Sequence, residues 1–336
     1  MGQGCYRRRE RGVGALAAGI IAAMHLLIPF SSALSDAAVH VLRDLQLPNL
    51  AKLLTMLTPQ PPDEGDEATL SPPHERALAH AWGWRGHDGA WPFAARAAAA
   101  DGITVGDAAW GLVTPVHWHV GRDHVVLSDP AALQLADDES RALFDAVREL
   151  FESEGFRIEW GAASRWYVAH DSLAELACAS LDRVIARPIE PWLRPDPGAD
   201  TPSRLVRRLQ SELQMLLYPH PINETREQRG ETPMNSFWLS GCGRYQPSAP
   251  DEPRIDDRLR APLLGDDWVA WAQAWRELDA DVLNKLLRNA QADEPVSLTL
   301  CGERSAQRFD AAPRSAWRRL ADRWRSAEPH AVLEAL

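Results

Sequence analysis

The stretch MHLLIPF, residues 24–30, runs into SSALSDAAVHVL, residues 31–42, and these two segments set the class of fold. The first is a short apolar run that reaches a proline, which is typical of a buried strand at its end. In the second, Ser35 or Asp36 can cap a helix whose apolar positions continue to Leu57. A strand that leads into a capped helix is a common opening unit of an α/β protein.

Residues 1–23 have two competing interpretations. Arginines at the start, an apolar run reaching Phe30 and small residues after it give the outline of a secretory signal. Alternatively, the protein starts at Met24, and residues 1–23 are an N-terminal extension. His25 and Pro29 favour this second interpretation, because they suit a strand better than a membrane-inserting segment.

Beyond the first strand, short apolar runs alternate with helical patterns. Residues 236–240 and 296–300 are the clearest runs, and a tryptophan-rich helix separates them. This alternation predicts an α/β protein with a mostly parallel mixed sheet flanked by helices. Strand and turn signals over residues 109–170 predict a small antiparallel insertion. We expect a single α/β domain over residues 24–336.

Composition excludes some classes of partner. Lys+Arg 36 against Asp+Glu 47 gives a net charge of -11, so a nucleic acid or an anionic membrane would be repelled on average, and neither is expected to bind. The cysteines have no C-x-x-C or metal-finger spacing: Cys5, Cys178, Cys242 and Cys301. A chain of this length needs no disulfides to fold, so we expect reduced thiols and a cytoplasmic protein.

The densest group of titratable side chains lies in TPVHWHVGRDH, residues 114–124. It comprises three imidazoles and the charged residues of one turn: His117, His119, Arg122, Asp123 and His124. On a strand the first two histidines share a face, and the turn can bring the third back to it. The three histidines could ligate a divalent metal such as Zn²⁺, or could form an acid–base pair with the carboxylate. The structural alternative is hydrogen bonding within a sheet and a turn ion pair.

Two apolar runs end in similar turns, SGCGR at residues 240–244 and LCGER at residues 300–304. The candidate ligand-binding residues in these turns are Gly241, Cys242, Gly243, Arg244, Gly302, Glu303 and Arg304. In open α/β sheets ligands bind beyond the carboxyl ends of strands, where glycine lets backbone amides approach an anion. We expect a small anionic or phosphorylated ligand there, in a cavity shared with the histidine stretch. The cysteines are candidate nucleophiles or small buried thiols.

Seven segments together resemble the bacterial RpfE-type regulatory proteins, which are often labelled phosphoglycerate mutase-like. The segments are MHLLIPF, SPPHERALA, TPVHWHVGRDHV, ASLDRVIARPIEPWL, LQSELQMLLYPHPIN, MNSFWLSGCG and LTLCGERSA. The resemblance covers about Met24 to the C-terminus and favours Met24 as the start. More distantly, it implies the alkaline-phosphatase-like α/β fold of cofactor-independent phosphoglycerate mutases. The archaeal type carries a stretch similar to Asn235, Trp238, Leu239, Gly241 and Gly243.

The resemblance also sets an expectation about chemistry. Enzymes of that superfamily carry an Asp metal ligand just after the first strand, where this chain has Phe30-Ser31-Ser32, and the motif of their Ser nucleophile has no match here. Phosphoryl transfer of that type needs two metals and an activated hydroxyl. The resemblance therefore implies a regulatory or ligand-sensing protein on a phosphoglycerate mutase-like scaffold that lacks the mutase metal site.

Two alternatives stay open at this point. One is a metal-dependent phosphomutase or phosphatase whose catalytic residues are His117, His119, Asp123 and His124. The other is a protein–protein adaptor that uses exposed tryptophans. The sequence specifies no cofactor beyond the divalent metal of the first alternative, and it identifies no protein partner.

Overall fold

A mixed five-stranded sheet forms the centre of the fold. The computed structural model describes residues 24–193, 202–250, 252–311 and 327–336. In spatial order the strands of this sheet are β2 (Leu57–Pro59), β11 (Ala306–Ala311), β10 (Val296–Cys301), β1 (Met24–Ile28) and β9 (Arg254–Ile255). Strand β1 pairs in parallel with both β10 and β9, whereas β11 is antiparallel to its two neighbours. The predicted mixed α/β sheet is confirmed, and so is the strand predicted over residues 25–30, which the structure places at Met24–Ile28.

Both faces of this sheet are covered because β1 alternates its side chains between them. Leu26 and Ile28 enter the larger core, and Leu27 enters a second core built around Trp82, Trp84 and Trp91. The larger core is formed by α1 (Asp36–Asp44), α2 (Pro48–Met56), α10 (Trp268–Leu278), α11 (Asn284–Gln291) and α12 (Pro329–Glu334). The opposite face receives α3 (Pro73–Ala81).

The helix predicted from residue 36 to Leu57 is in fact two helices followed by a strand. Helix α1 ends at Asp44, α2 starts at Pro48, and Leu57 already belongs to β2. Proline suits the first turn of a helix but cannot continue a preceding one. The free amide of Leu50 at this start donates to the carboxylate of Asp279 at 2.8 Å, so a distant residue supplies the cap.

The second sheet has four antiparallel strands, in the order β6 (Arg157–Ala162), β7 (Arg165–Ala169), β3 (Ala109–Val116) and β8 (Ser236–Arg244). Helices α5 (Asp137–Ser153) and α7 (Pro202–Leu217) cover one face, and α4 (Phe93–Ala100) covers the other. The antiparallel part is therefore larger than the insertion expected over residues 109–170, because β8 joins it. A strand buried on both faces has a continuous apolar run whichever way its neighbour points.

Shorter elements complete the chain. They are the hairpin of β4 (Trp118–Val120) and β5 (Val125–Leu127), with α6 (Leu181–Val184), α8 (Pro221–Gln228) and α9 (Arg260–Leu264). No helix in the described ranges is both long and apolar enough to cross a bilayer. The competing interpretations of residues 1–23 concern a segment outside the described residues.

The predicted tryptophan stripe on α10 packs into the larger core. Trp271 and Trp275 are completely buried, and Trp268 packs against them at the edge. Among the residues that the structure describes, no tryptophan is in the exposed class. The adaptor hypothesis, which needs exposed indole rings, thereby loses its main support.

Candidate functional site

The carboxyl ends of β1 and β10 lie side by side and are joined by hydrogen bonds. The backbone N–H of Ser31 donates to the carbonyl of Cys301 at 2.8 Å, and the N–H of Leu34 donates to Oε2 of Glu303 at 3.0 Å. In open α/β sheets this edge, beyond the ends of parallel strands, is where ligands bind. The side chains gathered here are therefore the first candidates for a site.

The turn after β1 is closed by its own contacts. Phe30 has a φ of 57°, in the left-handed region that costs a non-glycine residue about 1 kcal/mol. Its carbonyl accepts a hydrogen bond from the indole N–H of Trp271 at 3.1 Å. The hydroxyl of Ser31 is fully buried and donates to the carbonyl of Ile28 at 2.7 Å. Packing therefore holds a strained turn at the start of the site.

A histidine, an aspartate and an arginine from three separate segments meet beside that turn. The Nε2 of His74 lies 3.1 Å from Oδ2 of Asp182, whose other oxygen accepts from Nε of Arg260 at 2.9 Å. The His74 ring packs 4.9 Å from that of Phe30, centroid to centroid. Burial by itself would raise the pKa of Asp182, but the hydrogen bond and charge of His74, with Arg260, hold it at about 2.

The neighbouring carboxyl group, that of Glu75, has a raised pKa. Glu75 follows His74 on α3 and accepts a 2.6 Å hydrogen bond from the hydroxyl of Ser180. Burial raises the pKa of Glu75 to about 7, against the charge of His74 and the Ser180 hydrogen bond. Two nearby carboxyl groups with such different pKa values are a typical acid–base arrangement, with one protonated near neutral pH and one ionised.

Guanidinium groups supply the positive charge of this edge. Arg183 is only 2% exposed; it donates to the carbonyl of Glu303 at 2.9 Å and to the hydroxyl of Thr69 at 2.6 Å. Its Nε has no partner within the described residues. Burial, followed by the charges of Arg187 and Arg76, lowers the pKa of Arg183 to about 10. The crowding of cations around a buried arginine marks a place where an anion would be stabilised.

We call these residues the carboxyl-end cluster: His74, Glu75, Asp182, Arg183, Arg187, Arg260 and Glu303. Glu303 joins the turn after β1 to Arg187, since one carboxylate oxygen accepts from the N–H of Leu34 and the other forms an ion pair with Arg187. Arg76 flanks the cluster, paired with Asp63 at 3.1 Å and donating to the carbonyl of Arg304.

The donors of the cluster do not fit the two metals of the alkaline-phosphatase-like enzymes. Phe30, Ser31 and Ser32 occupy the turn after β1, where the family resemblance implies an aspartate ligand. Asp182 is already bonded to His74 and Arg260. Across the described ranges, no three His, Cys, Asp or Glu side chains are grouped so that they could hold a metal ion. At this edge the positive charge comes from the guanidinium groups of Arg183, Arg187 and Arg260.

The predicted histidine stretch lies at the end of β3, on β4 and in the turn between β4 and β5. Nδ1 of His117 hydrogen-bonds the carbonyl of Pro233 at 2.8 Å, and His119 lies exposed on β4. The remaining residues of the stretch are exposed in the β4–β5 turn: Arg122, Asp123 and His124. The three imidazoles do not form a group that could hold a metal ion. Asn235 holds this end of the sheet, since its side-chain oxygen accepts from the N–H of Trp118 at 2.7 Å.

The turn at residues 240–244 is at the far end of the same strand pair. Because β3 and β8 are antiparallel, Val116 faces Ser236 whereas Ala109 faces Arg244. The histidines are thus roughly 25 Å from Arg244, at about 3.3 Å per residue. The common cavity that the sequence suggested for the histidines and both cysteine turns does not form.

The glycines of that turn serve packing against α4. Gly241 has a φ of +64°, and a Cβ there would lie 2.9 Å from the backbone nitrogen of Ala94. Gly243 packs in the same way on Pro92. Arg244 is exposed and pairs with Asp171 at 3.0 Å, and Trp238 is buried with its indole N–H bonded to the carbonyl of Ala179. Close approach of a helix, rather than of an anion, explains these glycines.

The second predicted turn does reach the cluster. Glu303 is part of it, and Gly302 and Arg304 pack against the C-terminal Leu336, whose carbonyl accepts from the N–H of Arg304 at 3.0 Å. No spacing along the chain links His74, Asp182 or Arg260 to Glu303. The available signal was the charged helix start of SPPHERALA and the LDRVIAR segment, both of which carry the family resemblance.

Comparison with known proteins gives a distant relationship. No protein-family profile matches the chain. It is 27% identical over 119 residues to the 2,3-bisphosphoglycerate-independent phosphoglycerate mutase of Thermoplasma volcanium, a match covering 34% of this chain and 28% of that protein. The corresponding enzyme of Methanosarcina mazei is 28% identical over 127 residues, covering 37% and 31%. The matches thus span less than a third of the length of these curated relatives.

The solved structures that align with this chain have low sequence identity to it. A Pyrococcus horikoshii protein aligns over 93% of both chains with a TM-score of 0.48 and 13% identity. The cofactor-independent phosphoglycerate mutase of Thermoplasma acidophilum aligns over 85% of this chain and 89% of its own, with a TM-score of 0.35 and 14% identity. The sequence matches make the chain a distant relative of cofactor-independent phosphoglycerate mutases. The matches named here include no RpfE-type protein.

Proposed function

We propose that this chain is a regulatory, ligand-sensing protein on a phosphoglycerate mutase-like scaffold, without a two-metal catalytic centre. The observation that carries the proposal is the edge beyond β1 and β10. There Phe30-Ser31-Ser32 follows the first strand, where the family resemblance implies an aspartate metal ligand, and the surrounding acidic groups are bonded to arginine, histidine, serine or backbone. The distant relationship to mutases supports the scaffold, and the cluster supports binding rather than metal-assisted phosphoryl transfer.

The ligand in this proposal is a small anionic or phosphorylated molecule. Guanidinium groups favour carboxylate and phosphate because their N–H donors match the oxygens in geometry and charge. Arg187 is 36% exposed at its side chain and faces Glu303, so it is reachable from solvent. The Glu303 carboxylate already bonds both Arg187 and the N–H of Leu34, and an incoming anion would take over these donors. Glu303 is then an internal competitor whose release reports that the ligand is bound.

The absence of a catalytic metal can be tested on the whole chain. After exposure to Mn²⁺, Zn²⁺ and Mg²⁺ followed by desalting, elemental analysis is expected to find far less than one ion per chain. No turnover of p-nitrophenyl phosphate is expected with any of the three ions. A stoichiometric metal together with turnover that His74→Ala abolishes would refute the proposal. If the chain bound a stoichiometric metal and turned over p-nitrophenyl phosphate, and a His117→Ala, His119→Ala double variant abolished that turnover, the phosphatase alternative would be established.

The competitor role of Glu303 gives a second prediction. Glu303→Gln keeps the shape but removes the charge, so affinity for inorganic phosphate and 3-phosphoglycerate should rise about tenfold, which is about 1.4 kcal/mol. Arg187→Ala should weaken the affinity for both of these ligands. Isothermal titration calorimetry at fixed ionic strength measures the dissociation constants.

The matched control is Glu252→Gln, which alters net charge equally at an exposed ion pair with Arg96. It should leave phosphate affinity unchanged. An equal gain in the Glu252 and Glu303 variants would show a general charge effect and remove the support for this site. If no variant bound phosphate measurably, the support for this site would also be removed.

A further inference from the structure

Two cysteines outside the carboxyl-end cluster lie in sulfur–sulfur contact. Sγ of Cys178 is 3.8 Å from Sγ of Cys242, although the residues are 64 positions apart in the sequence. Cys178 lies between β7 and α6, and Cys242 lies within β8. Neither residue contributes to the proposed ligand site, so their proximity calls for a separate explanation.

The surroundings of the two thiols are unequal. Cys242 is fully buried, and its sulfur lies 3.3 Å from the position that a Cβ on Gly111 would take. Cys178 is half-buried and lines a small cleft that is partly open to solvent, with Trp192 and Trp238 among its walls. The hydrogen bond with Cys178, followed by burial, raises the pKa of Cys242. A small reagent in solution therefore meets Cys178 first.

The backbone around Cys178 is held in place. The N–H of Cys178 donates to the carbonyl of Gly89 at 2.9 Å, and the indole of Trp238 bonds the next residue, Ala179, at 2.8 Å. Since a disulfide has an S–S length of about 2.05 Å, the sulfurs need to approach by about 1.7 Å, a movement within reach of side-chain rotation. The pair can therefore be bridged without unfolding the sheet.

We propose that Cys178 and Cys242 form a peroxide-reactive dithiol, with Cys178 as the attacking and Cys242 as the resolving residue. The Cys178 sulfur attacks one oxygen of hydrogen peroxide, the O–O bond breaks, and Cys178 becomes a sulfenic acid as one water leaves. The Cys242 sulfur then attacks the Cys178 sulfur, and the displaced hydroxyl leaves as a second water with the Cys242 proton. Two thiols and one peroxide give one disulfide and two waters.

Peptide mapping of the whole chain tests the proposal. A Cys5→Ser variant retains the three cysteines that the structure describes. After brief peroxide treatment and alkylation under denaturing conditions, one alkylatable thiol should remain, Cys301. Trypsin should then release residues 166–183 linked to residues 230–244, and a reductant should separate them. Cys301 is buried on β10 and serves as the internal control.

Single variants distinguish the two roles. In the Cys5→Ser background, Cys242→Ser should leave a sulfenic acid on Cys178 that dimedone labels, whereas Cys178→Ser should leave Cys242 unmodified. The mapping of the unsubstituted pair does not depend on either variant folding. Full alkylation of both thiols after peroxide, or sulfenic acid on Cys242 instead of Cys178, would overturn the proposal. A disulfide found only between separate chains would also overturn the proposal.

Discussion

Replacement of Trp271 by alanine is expected to lower the free energy of unfolding by about 4 kcal/mol, the usual cost of truncating a fully buried aromatic residue. Trp271 is 0% exposed and packs in the core between α10 and the five-stranded sheet. Its indole N–H also bonds the carbonyl of Phe30 at 3.1 Å, in the strained turn beside the carboxyl-end cluster. The variant therefore loses core packing and releases that turn. Urea unfolding followed by circular dichroism measures the difference.

Val269→Ala on the same helix is the matched control. Val269 is 82% exposed, so its truncation should change the free energy of unfolding by less than about 0.5 kcal/mol. If the two variants were equally stable, the proposed position of α10 against β1 would be untenable. A refolded Trp271 variant with unchanged phosphate affinity would show that the Phe30 turn does not influence the cluster.

Asp182→Asn is the second substitution with a large expected effect. It removes the carboxylate that bonds His74 and Arg260, and both of these side chains are largely buried. Breaking a buried pair by neutralising one partner costs about 3 kcal/mol, because the remaining charge is left without compensation. Asp145→Asn is the control: Asp145 pairs with Arg148 at the surface of α5, where an ion pair contributes less than about 1 kcal/mol.

The Asp182 contribution should also depend on pH in a defined direction. The pKa of Asp182 is depressed in the folded chain to about 2, against 3.8 as the ordinary value. Its stabilisation is therefore present above pH 3.8 and is lost as the pH falls through about 2. The stability gap between wild type and Asp182→Asn should be smaller at about pH 3 than at about pH 5. A gap that grows between about pH 5 and about pH 3 would contradict this assignment.

Local patterns were sufficient for several of the elements but not for their partners. The strand over residues 24–28 and the buried stripe of α10 follow from short-range periodicity and are confirmed. The apolar run of β8 was correctly identified as a strand, but was assigned to the wrong sheet. Strand direction leaves no trace in a segment that is buried on both faces. Only its pairing with β3 shows that β8 belongs to the antiparallel sheet.

The candidate site shows the same division. Glu303 stood out because a charged residue follows a glycine at the end of an apolar run. His74, Asp182 and Arg260 come from three further segments, and no spacing along the chain connects them. The histidines at 117–124 are dense in sequence, yet the strand geometry spreads them between a backbone contact and an exposed turn. Closeness in the sequence therefore did not predict that the histidines lie together in space. Separation in the sequence gave no indication that His74, Asp182 and Arg260 do.

The sequence by itself determined that this is an α/β protein with its first strand at Met24, since hydrophobic periodicity and helix capping act over a few residues. The tertiary structure alone decided which strands are neighbours, which charges meet beyond β1 and β10, and that Cys178 lies against Cys242. These contacts join residues tens to hundreds of positions apart. They form because burying both sheets brings such segments together, a consequence of the whole chain's packing rather than of any local pattern.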